Sequence, residues 1–597
     1  MNLQELLSRF LSEETEPTSA RNGRTRAELR NNDSAGNESQ HSATSTTGAG
    51  GPRNNPAGMS AKLPAPGVAD NAVFEVQGHI RPVEVDLITD DSRQLTERSI
   101  FAITELSYQH LESALQRNPA LIIAPRNLMA DSRLQDFKAR GAVLRGLPPA
   151  RSRPEWILSR LAGILHDHPD RKLTLVAVTG TNGKTSITRM IYHAWKKAGK
   201  SCAVIGTLGA TYYKDGEEVN IQTGYTTPRS YQLLELLSQM HSSGVELVAL
   251  EASSEALALG RLEAIHLSKA VFCGLSVDHL DYHKTMNRYF MAKAHLFTIL
   301  ARSGGKAIIQ DLSQIAEDRY SKRLQTYAQR LGLQKRVLSS FRDFELHVPV
   351  EFNVRNANLA WYASGLDYDP GLFKDMPDVP GRMNRIEVSP GLDAIVDYAH
   401  TPDALERILS QLKASGYDAL FCVFGCGGNR DPSKRPLMGR AAMELADFVI
   451  ITDDNPRKED PASIRSAILN ARELPDLRPA FADLREVADR RDAIIGALER
   501  ANELAGVGKK CCVLIAGKGH EDYQIYGTQK KHFSDQEVVM EFLEALPETK
   551  QAGSQKTSAK QAGSQKTSAK QSELEGAGQR KTSADAERTG GEHEVQP

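Results

Sequence analysis

The chain has 597 residues, of which 40 % are hydrophobic and 25 % charged, and its formal net charge at pH 7 is −1. Such a balance gives no sign of a protein that binds nucleic acid or a membrane surface, and the length predicts roughly three to four domains. The six cysteines are too thinly spread for a disulfide framework or a zinc site, which favours reduced thiols.

The first twelve residues predict a short helix that docks on a domain. Leu3, Leu6, Leu7, Phe10 and Leu11 fall at helical spacing. The segment has neither the basic start nor the apolar stretch of a signal peptide, and no apolar run in the chain approaches the ~18 residues of a membrane span. We therefore expect a cytoplasmic protein.

Two polar segments lack the residues needed for a core. Residues 13–70 are rich in Ser, Thr, Asn, Gly and Pro, and residues 549–597 contain "KQAGSQKTSA" twice. Chains that cannot bury apolar surface do not repay the entropy of folding. We expect both segments to be disordered.

Between these segments, short apolar strands alternate with helical patterns. The strands run from "KLTLVAVTG" to "KCCVLIAGKG", and each is predicted to precede a helix. This alternation indicates an α/β fold with mainly parallel sheets, in which ligands bind at the carboxyl ends of the strands.

The strongest local signal is a glycine-rich loop between the strand 173–179 and an amphipathic helix. Glycines let backbone N–H groups approach phosphate oxygens, a lysine adds positive charge, and a threonine hydroxyl can hold Mg²⁺. Val178 stands where the full phosphate-loop pattern has its first glycine, so a simple strand–helix turn is the alternative. The loop residues are Gly180, Thr181, Asn182, Gly183, Lys184 and Thr185.

Acidic and imidazole groups follow the next strands. Glu251 ends one apolar strand, "DHLDYH" (278–283) follows another, and Lys293 comes on the next helix. A carboxylate and an imidazole at neighbouring strand ends can complete a divalent-metal shell beside phosphates. The alternatives are a solvated turn with a helix cap for the histidine motif and a surface position for Lys293.

A later strand runs into "ITDDNPRKEDP" (451–461). Asn-Pro is an ordinary turn dipeptide, and a type I turn tolerates almost any neighbours. By themselves, Asp454, Asn455 and Arg457 predict a turn, and a ligand site is the alternative.

Taken together, the motifs resemble those of the Mur ligases, and among them the MurE type that adds the third amino acid. The resemblance runs from about residue 92 to residue 546. The motifs occur in one order: "DSR" (91–93), "GTNGKT" (180–185), "TTP" (226–228), "EASS" (251–254), "DHLDYH" (278–283), "AKAHLF" (292–297), "FNVRN" (352–356), "GRM" (381–383), "DYAHTPD" (397–403), "GCGGNRDPSKRPLMG" (425–439), "DDNPR" (453–457) and "GKGHEDYQ" (517–524).

This resemblance implies three α/β domains with different tasks. They are an N-terminal UDP-substrate-binding domain (71–155), a central P-loop ATPase with a mainly parallel sheet (156–382) and a C-terminal Rossmann-like ligase domain (383–548). The implied reaction uses ATP and Mg²⁺ to phosphorylate the terminal carboxylate of UDP-MurNAc-L-Ala-D-Glu. An incoming diamino acid then attacks the acyl phosphate.

The resemblance also assigns residues. Catalysis and metal binding fall to Lys184, Thr185, Glu251, His279 and Lys293, the last as a carbamate (N6-carboxylysine). Beyond the loop, ATP contacts fall to Asn356, Arg382, Asp397 and His400, and the UDP-muramoyl-dipeptide contacts to Ser92, Thr226, Thr227, Ser253 and Arg261. Glu255 and Gly274 depart from the residues that the family usually has at these positions.

The incoming amino acid is predicted from charge. Meso-diaminopimelate ends in an ammonium and a carboxylate, whereas lysine and ornithine end only in an ammonium, and arginine binds carboxylate through two parallel N–H bonds. "DNPR" matches the members that add diaminopimelate, with Arg430, Asp454, Asn455, Arg457, Gly517 and Glu521 as the contacts.

Several alternatives stay open at this stage. They are the same reaction with lysine or ornithine, a sister ligase of the folylpolyglutamate or cyanophycin type, and a degenerate nucleotide-binding scaffold. We expect a monomer that binds neither nucleic acid nor membranes.

Overall fold

The computed structural model describes residues 1–15, 73–78, 80–104, 107–138, 141–147, 154–214, 216–311, 319–474 and 483–546. The first helix runs from Leu3 to Thr15. The prediction of disorder from residue 13 is therefore wrong for residues 13–15, because Glu13 is anchored by ion pairs that its polarity alone does not reveal. The rest of that segment from residue 16 on, and the repeat tail, lie outside the described residues.

These residues fall into two compact units, one ending at Pro377 and one beginning at Asp378. The first unit contains two sheets and the second contains one sheet and a hairpin, counted over the described ranges. The predicted α/β class is confirmed. The domain boundaries at 155 and 382 stay predictions.

The sheet nearest the N-terminus has the strand order β1-β5-β4-β3-β2, and its strands are parallel except for β1. The N-terminal helix buries its predicted apolar face: Leu3, Leu6, Leu7 and Phe10 are at most 3 % exposed. The strands are β1 Val73–Gly78, β2 Leu87–Thr89, β3 Ser99–Ala102, β4 Leu121–Ile123 and β5 Ala142–Leu147.

The larger sheet of the first unit has the order β13-β12-β11-β6-β10-β7-β8-β9, parallel except around β8. Its central strands are continuously apolar because helices cover both faces. The strands are β6 Thr174–Thr179, β7 Cys202–Gly206, β8 Gly209–Lys214, β9 Glu217–Ile221, β10 Leu247–Glu251, β11 Lys269–Phe272, β12 Lys306–Gln310 and β13 Gln334–Leu338.

In the second unit the sheet order is β14-β15-β19-β16-β17-β18, parallel except for β14. The pairings of Ala516 with Asp397 and Phe424, and of Phe424 with Ile451, bring four strand ends to one edge. The strands are β14 Asn384–Ser389, β15 Leu392–Asp397, β16 Ala419–Phe424, β17 Phe448–Ile451, β18 Asp483–Glu486 and β19 Cys511–Ala516, with the hairpin β20 Tyr523–Tyr526 and β21 Gln529–His532.

One element following a strand differs from the prediction. "KCCVLIAGKG" was expected to precede a helix, but β19 is followed by the hairpin β20–β21. The physical reason is that "YQIYGTQKKH" carries a tight turn at Gly527, whose φ is +60°, between two short extended segments. The next helix begins only at Asp535.

The helices connect the strands or cover the sheets. None of those in the described ranges is long and apolar enough to cross a membrane. They are Leu3–Thr15, Leu111–Gln116, Ser132–Lys138, Pro154–Leu165, Pro169–Lys172, Lys184–Lys197, Ser230–Ser242, Ser254–Ala258, Leu280–His283, Met286–Ser303, Arg319–Arg330, Glu351–Ser364, Pro402–Ala414, Lys434–Leu445, Pro461–Leu469, Arg490–Gly506 and Asp535–Ala545, with short 3-10 turns at Ser92–Gln94, Tyr108–His110, Arg126–Leu128 and Asn470–Glu473.

Candidate active site

The glycine-rich loop joins β6 to the helix Lys184–Lys197, as predicted. Gly183 has φ +89°, and a Cβ placed there would lie 2.8 Å from the side-chain oxygen of Asn356. Asn356 is buried on the helix Glu351–Ser364 and therefore rests directly against the loop. The loop is anchored on its other side by Thr181, whose hydroxyl lies 3.1 Å from that of Tyr289.

Two lysines converge on one carbonyl of this loop. The Nζ of Lys184 donates to the carbonyl oxygens of Gly180 (3.1 Å) and Thr181 (2.8 Å), and the Nζ of Lys293 donates to that of Gly180 at 2.7 Å. Lys293 is 1 % exposed, so the surface alternative is wrong. Burial, reinforced by the charge of Lys184, holds the pKa of Lys293 well below its ordinary value. Because its pKa is lowered, the amine of Lys293 is more easily neutral, and a neutral amine is nucleophilic.

Glu251 ends β10 beside the loop and is almost fully buried. Its carboxylate accepts hydrogen bonds from the hydroxyl of Thr185 (3.1 Å) and from the backbone N–H and hydroxyl of Thr207 (2.9 and 3.0 Å). A hydroxyl and a carboxylate side by side are the hard oxygen donors that Mg²⁺ prefers, so these residues fit that ion. Thr207 was missed, because "GTLGA" has no distinctive pattern.

His279 begins the short helix Leu280–His283 with a left-handed φ of +53°. Its ring nitrogens lie 3.5 Å from a carboxylate oxygen of Glu255 and 3.3 Å from one of Asp278. Across the described residues, no three His, Cys, Asp or Glu side chains are grouped as a metal site. His279 makes no side-chain capping hydrogen bond, and Asp278 and His283 of the same motif are buried, so the alternative of a solvated turn with a helix cap does not describe this segment. A metal-binding role for His279 stays a prediction.

Four residues predicted to bind the UDP-muramoyl dipeptide lie together near the end of β10. The hydroxyl of Thr227 accepts the backbone N–H of Ser253 at 3.0 Å, and the guanidinium of Arg261 donates to the carbonyl of Thr227 at 2.7 Å. Thr226 precedes this pair in the same loop. Residues that lie far apart in the sequence therefore form one cluster of polar side chains.

Ser92 lies further along, in the turn after β2. Ser92 is buried, and Asp90, two residues before it, pairs with Arg229. The hydroxyl of Tyr231 also donates to Asp90, at 3.2 Å. The turn carrying Ser92 is thus held by the segment that follows "TTP".

In the second unit, Asp397 ends β15 and organises the turn beyond it. Its carboxylate accepts the backbone N–H of Met383 and that of the residue two positions on, both at 2.7 Å. Burial raises the pKa of Asp397 above its ordinary value. Arg382 lies over the ring of Tyr398 at 4.5 Å, and the Nδ1 of His400 is 2.8 Å from the Tyr398 carbonyl oxygen. The "GRM" and "DYAHTPD" motifs therefore meet.

Carboxylates predicted to bind the diamino acid gather at the ends of β17 and β19. The side-chain amide of Asn455 donates to Glu521 at 2.9 Å. A Cβ on Gly517, which has φ +116°, would lie 2.7 Å from a carboxylate oxygen of Asp454. Burial and the negative charge of Asp454 raise the pKa of Glu521. An incoming ammonium would relieve the repulsion between the two carboxylates.

Two arginines lie close to Gly427: Arg430 in the loop after β16 and Arg457 in the segment after β17. A Cβ on Gly427 would lie 2.8 Å from Nη1 of Arg457 and 3.7 Å from Cγ of Arg430. The Nη1 of Arg457 also donates to the carbonyl of Gly428 at 2.8 Å. Arg457 forms a parallel β-bridge with Tyr526, so this stretch is more than a turn. Cationic and anionic groups are thus assembled at one edge of the sheet.

In "GKGHEDYQ", only Gly517 and Glu521 were predicted to contact the diamino acid. Two further residues of this motif also make contacts in this part of the second unit. The fully buried Lys518 donates to the carbonyl of Tyr523, and Gln524 donates to the carbonyl of Asp454 at 3.1 Å. The motif itself was the available signal, but contacts between side chains and a distant backbone carbonyl have no sequence signature.

The comparisons with known proteins agree on one family. Residues 178–363 match the Mur ligase middle domain, and residues 381–519 match the Mur ligase glutamate ligase domain. A UDP-N-acetylmuramoyl-L-alanyl-D-glutamate–2,6-diaminopimelate ligase of Leptospira borgpetersenii is 37 % identical over 491 residues, which cover 76 % of this chain and 93 % of that relative. A protein of the same name from Haemophilus influenzae is 32 % identical, covering 79 % and 99 %.

A solved structure of a UDP-N-acetylmuramoyl-L-alanyl-D-glutamate–2,6-diaminopimelate ligase aligns with a TM-score of 0.50 at 30 % identity. It covers 78 % of this chain and 95 % of that one. The first family model spans the phosphate loop, and the second spans Arg430, Asp454 and Arg457 at the strand ends of the second unit. The chain belongs to the Mur ligase family.

Proposed function

We propose that this Mur ligase adds meso-diaminopimelate to UDP-MurNAc-L-Ala-D-Glu, at the expense of ATP. The observation that carries the proposal is the joint placement of Arg430 and Arg457 with Asp454 and Glu521. The far end of diaminopimelate presents one carboxylate and one ammonium, and this site offers a partner for each. Relatives that bear this activity in their names are 32–37 % identical to the chain.

The chemistry proceeds in two transfers. An oxygen of the D-glutamate carboxylate attacks the γ-phosphorus of ATP, and ADP departs. The amine of diaminopimelate then attacks the acyl carbon, loses a proton and expels phosphate, so that an amide forms. A carboxylate needs this activation because it is a poor electrophile, and the acyl phosphate must be kept from water.

Residues of the phosphate loop would hold the ATP phosphates. Its backbone N–H groups and Lys184 supply positive charge, while Asn356 keeps the loop in place. Thr185 and Glu251 would hold Mg²⁺, which offsets negative charge where carboxylate and phosphate approach each other. Lys293 as a carbamate would add a negative group beside them, and His279 a further ligand.

Diaminopimelate is favoured over lysine and ornithine by the two arginines. With either of the latter, the partly buried Arg457 and the exposed Arg430 would have no substrate carboxylate to bind, so the affinity for these amino acids should be lower. We further propose that the protein works as a cytoplasmic monomer with the three predicted domains.

Turnover with single amino acids tests the proposal. Phosphate release is measured with ATP, UDP-MurNAc-L-Ala-D-Glu and either diaminopimelate, lysine or ornithine. We expect turnover with diaminopimelate and little with the others. Turnover with lysine or ornithine alone would refute the substrate, and turnover only with a folate or peptide acceptor would indicate a sister ligase. No turnover with any acceptor would indicate a degenerate scaffold.

A further inference from the structure

The segment that carries the predicted diaminopimelate contacts is attached to the hairpin β20–β21. The backbone N–H of Arg457 donates to the carbonyl of Ile525 at 2.9 Å, and the backbone N–H of Gly527 donates to the carbonyl of Arg457 at 2.6 Å. These bonds make Arg457 a short strand-like addition to the hairpin. The backbone of residues 453–457 is therefore set by an element that follows β19.

Side chains reinforce this attachment. The amide of Gln524 donates to the carbonyl oxygens of Asp454 (3.1 Å) and Asp453 (3.4 Å), and the side-chain oxygen of Asn455 accepts the N–H of Ile525 at 3.0 Å. Gln524 is 8 % exposed. If the segment moved away, the buried amide of Gln524 and the carbonyl oxygens that it binds would lose their hydrogen-bond partners. Because this would lower the stability of the folded protein, the observed backbone position is favoured.

The attachment matters because the segment is not in a relaxed conformation. Arg457 has φ +55°, which few residues other than glycine adopt. Such a conformation persists only where surrounding contacts enforce it. The positions of the Asp454, Asn455 and Arg457 side chains all depend on this backbone.

We propose that Gln524 is a positioning residue for diaminopimelate selection, acting through the backbone of Asp453 and Asp454. This inference rests on the proposed function, because it specifies how the same amino-acid site keeps its shape. Gln524 itself is assigned no contact with substrate. Its removal should loosen the site for the diamino acid and leave the phosphate loop of the first unit unaffected.

The test uses two substitutions and a matched control. Gln524→Met removes the donor at similar size, and Gln524→Glu replaces it with an acceptor facing two carbonyls. Gln529→Glu makes the same change at an exposed position on the other strand of the hairpin. The kcat and the KM values for diaminopimelate, ATP and UDP-MurNAc-L-Ala-D-Glu are measured for each protein.

Both Gln524 variants are expected to raise the KM for diaminopimelate by about tenfold or more, because a small displacement of the groups that bind a substrate weakens its binding by such a factor. Their KM for ATP and their kcat at saturation should stay within about threefold of the parent. Gln529→Glu should match the parent in every value. An unchanged KM for diaminopimelate, or an equal loss in all parameters, would overturn the inference.

A milder variant guards against misfolding of the Gln524 proteins. Tyr526→Phe removes the hydrogen bond from the Tyr526 hydroxyl to Asp453, 3.2 Å long, from the same hairpin. It should raise the KM for diaminopimelate by about threefold, in line with one modest hydrogen bond. If the Gln524 variants do not fold and the Tyr526→Phe protein has parental kinetics, the inference is overturned. A parent enzyme that uses lysine instead of diaminopimelate would refute the proposed function and, with it, the role of Gln524 in diaminopimelate selection. Parental turnover with diaminopimelate together with an unchanged KM in the Gln524 variants would refute the role of Gln524 alone.

Discussion

At the scale of single residues, Arg457 is the centre of the predicted selectivity. Its guanidinium lies beside Arg430 and is held by the carbonyl of Gly428. Arg457→Ala should lower kcat/KM for diaminopimelate by the equivalent of about 2–5 kcal/mol, because the substrate carboxylate would be buried without its partner. Arg457→Lys should recover only part of this, since a lysine offers no planar fork.

The control for this prediction is an exposed arginine of the same unit, Arg500, which pairs with Glu503 on the same helix. Arg500→Ala should retain the parental kinetics. Steady-state kinetics with diaminopimelate as the varied substrate give the answer, and parental values for Arg457→Ala would remove the basis for the assignment.

Lys293 is the second residue whose chemistry follows from its surroundings. Burial lowers its pKa well below the ordinary value, so near pH 7 the amine is more easily neutral and can attack carbon dioxide, losing a proton as the carbamate forms. We expect a carbamate carbonyl signal by NMR after incubation with ¹³C-bicarbonate, and its absence in Lys293→Met. Identical spectra for the two proteins would contradict the modification.

At the scale of structural elements, the loop after β16 packs tightly on the segment 453–457. A Cβ on Gly428 would lie 1.9 Å from the carbonyl oxygen of Pro456. Gly428→Ala should therefore displace that segment and raise the KM for diaminopimelate by about tenfold or more. The KM for ATP should change less, because the predicted ATP contacts of this unit, Arg382, Asp397 and His400, lie outside the displaced segment.

A matched substitution is available within one helix of the same unit. A Cβ on Gly496 meets nothing within 4 Å. Gly496→Ala should keep all kinetic constants and, in an exposed helical position, raise stability by up to about 1 kcal/mol. Equal KM values for diaminopimelate in the two alanine variants would argue against the steric account.

Docking of the N-terminal helix depends on Glu13. Its carboxylate lies 2.5 Å from Arg160 and 2.9 Å from His168. Burial raises the pKa of Glu13, but the hydrogen bond to His168 and the charge of Arg160 outweigh it and lower the pKa to about 2 from 4.5. The stabilisation is therefore complete above about pH 4.5 and is lost as the pH falls towards 2.

Glu13→Gln should thus lower the thermal unfolding midpoint at pH 7, and the difference from the parent should shrink as the pH is brought below 4.5. Glu5→Gln, which removes an exposed ion pair on the same helix, should have little effect at any pH. A pH-independent difference for Glu13→Gln would show that the carboxylate charge is not what anchors the helix.

At the scale of the whole molecule, local patterns predicted the fold class well. Apolar strands followed by glycine-rich turns and amphipathic helices gave the parallel sheets and the phosphate loop, because periodicity and turn chemistry are local. The hairpin after β19 was not predicted, since a short polar alternating segment is a weak signal. The helical state of residues 13–15 was missed because it depends on Arg160 and His168, far away in sequence.

The same distinction between local patterns and contacts of distant segments explains which residues of the candidate site could be predicted. Lys184, Glu251 and Arg457 could be found because they stand in motifs. The burial of Lys293, the hydrogen bonds from Thr207 to Glu251 and the support of Asp454 by Gln524 arise from packing between distant segments. Residue type and spacing carry no information about such contacts.

The most direct test of the central claim is a competition followed by mass spectrometry. The parental enzyme is given ATP, Mg²⁺ and UDP-MurNAc-L-Ala-D-Glu with equal concentrations of meso-diaminopimelate, lysine and ornithine. The masses and amounts of the UDP-linked products are then measured. We expect a product whose mass equals that of the substrate plus diaminopimelate less one water, in well over the amounts of the lysine and ornithine products. A product dominated by lysine or ornithine, or no tripeptide product, would contradict it.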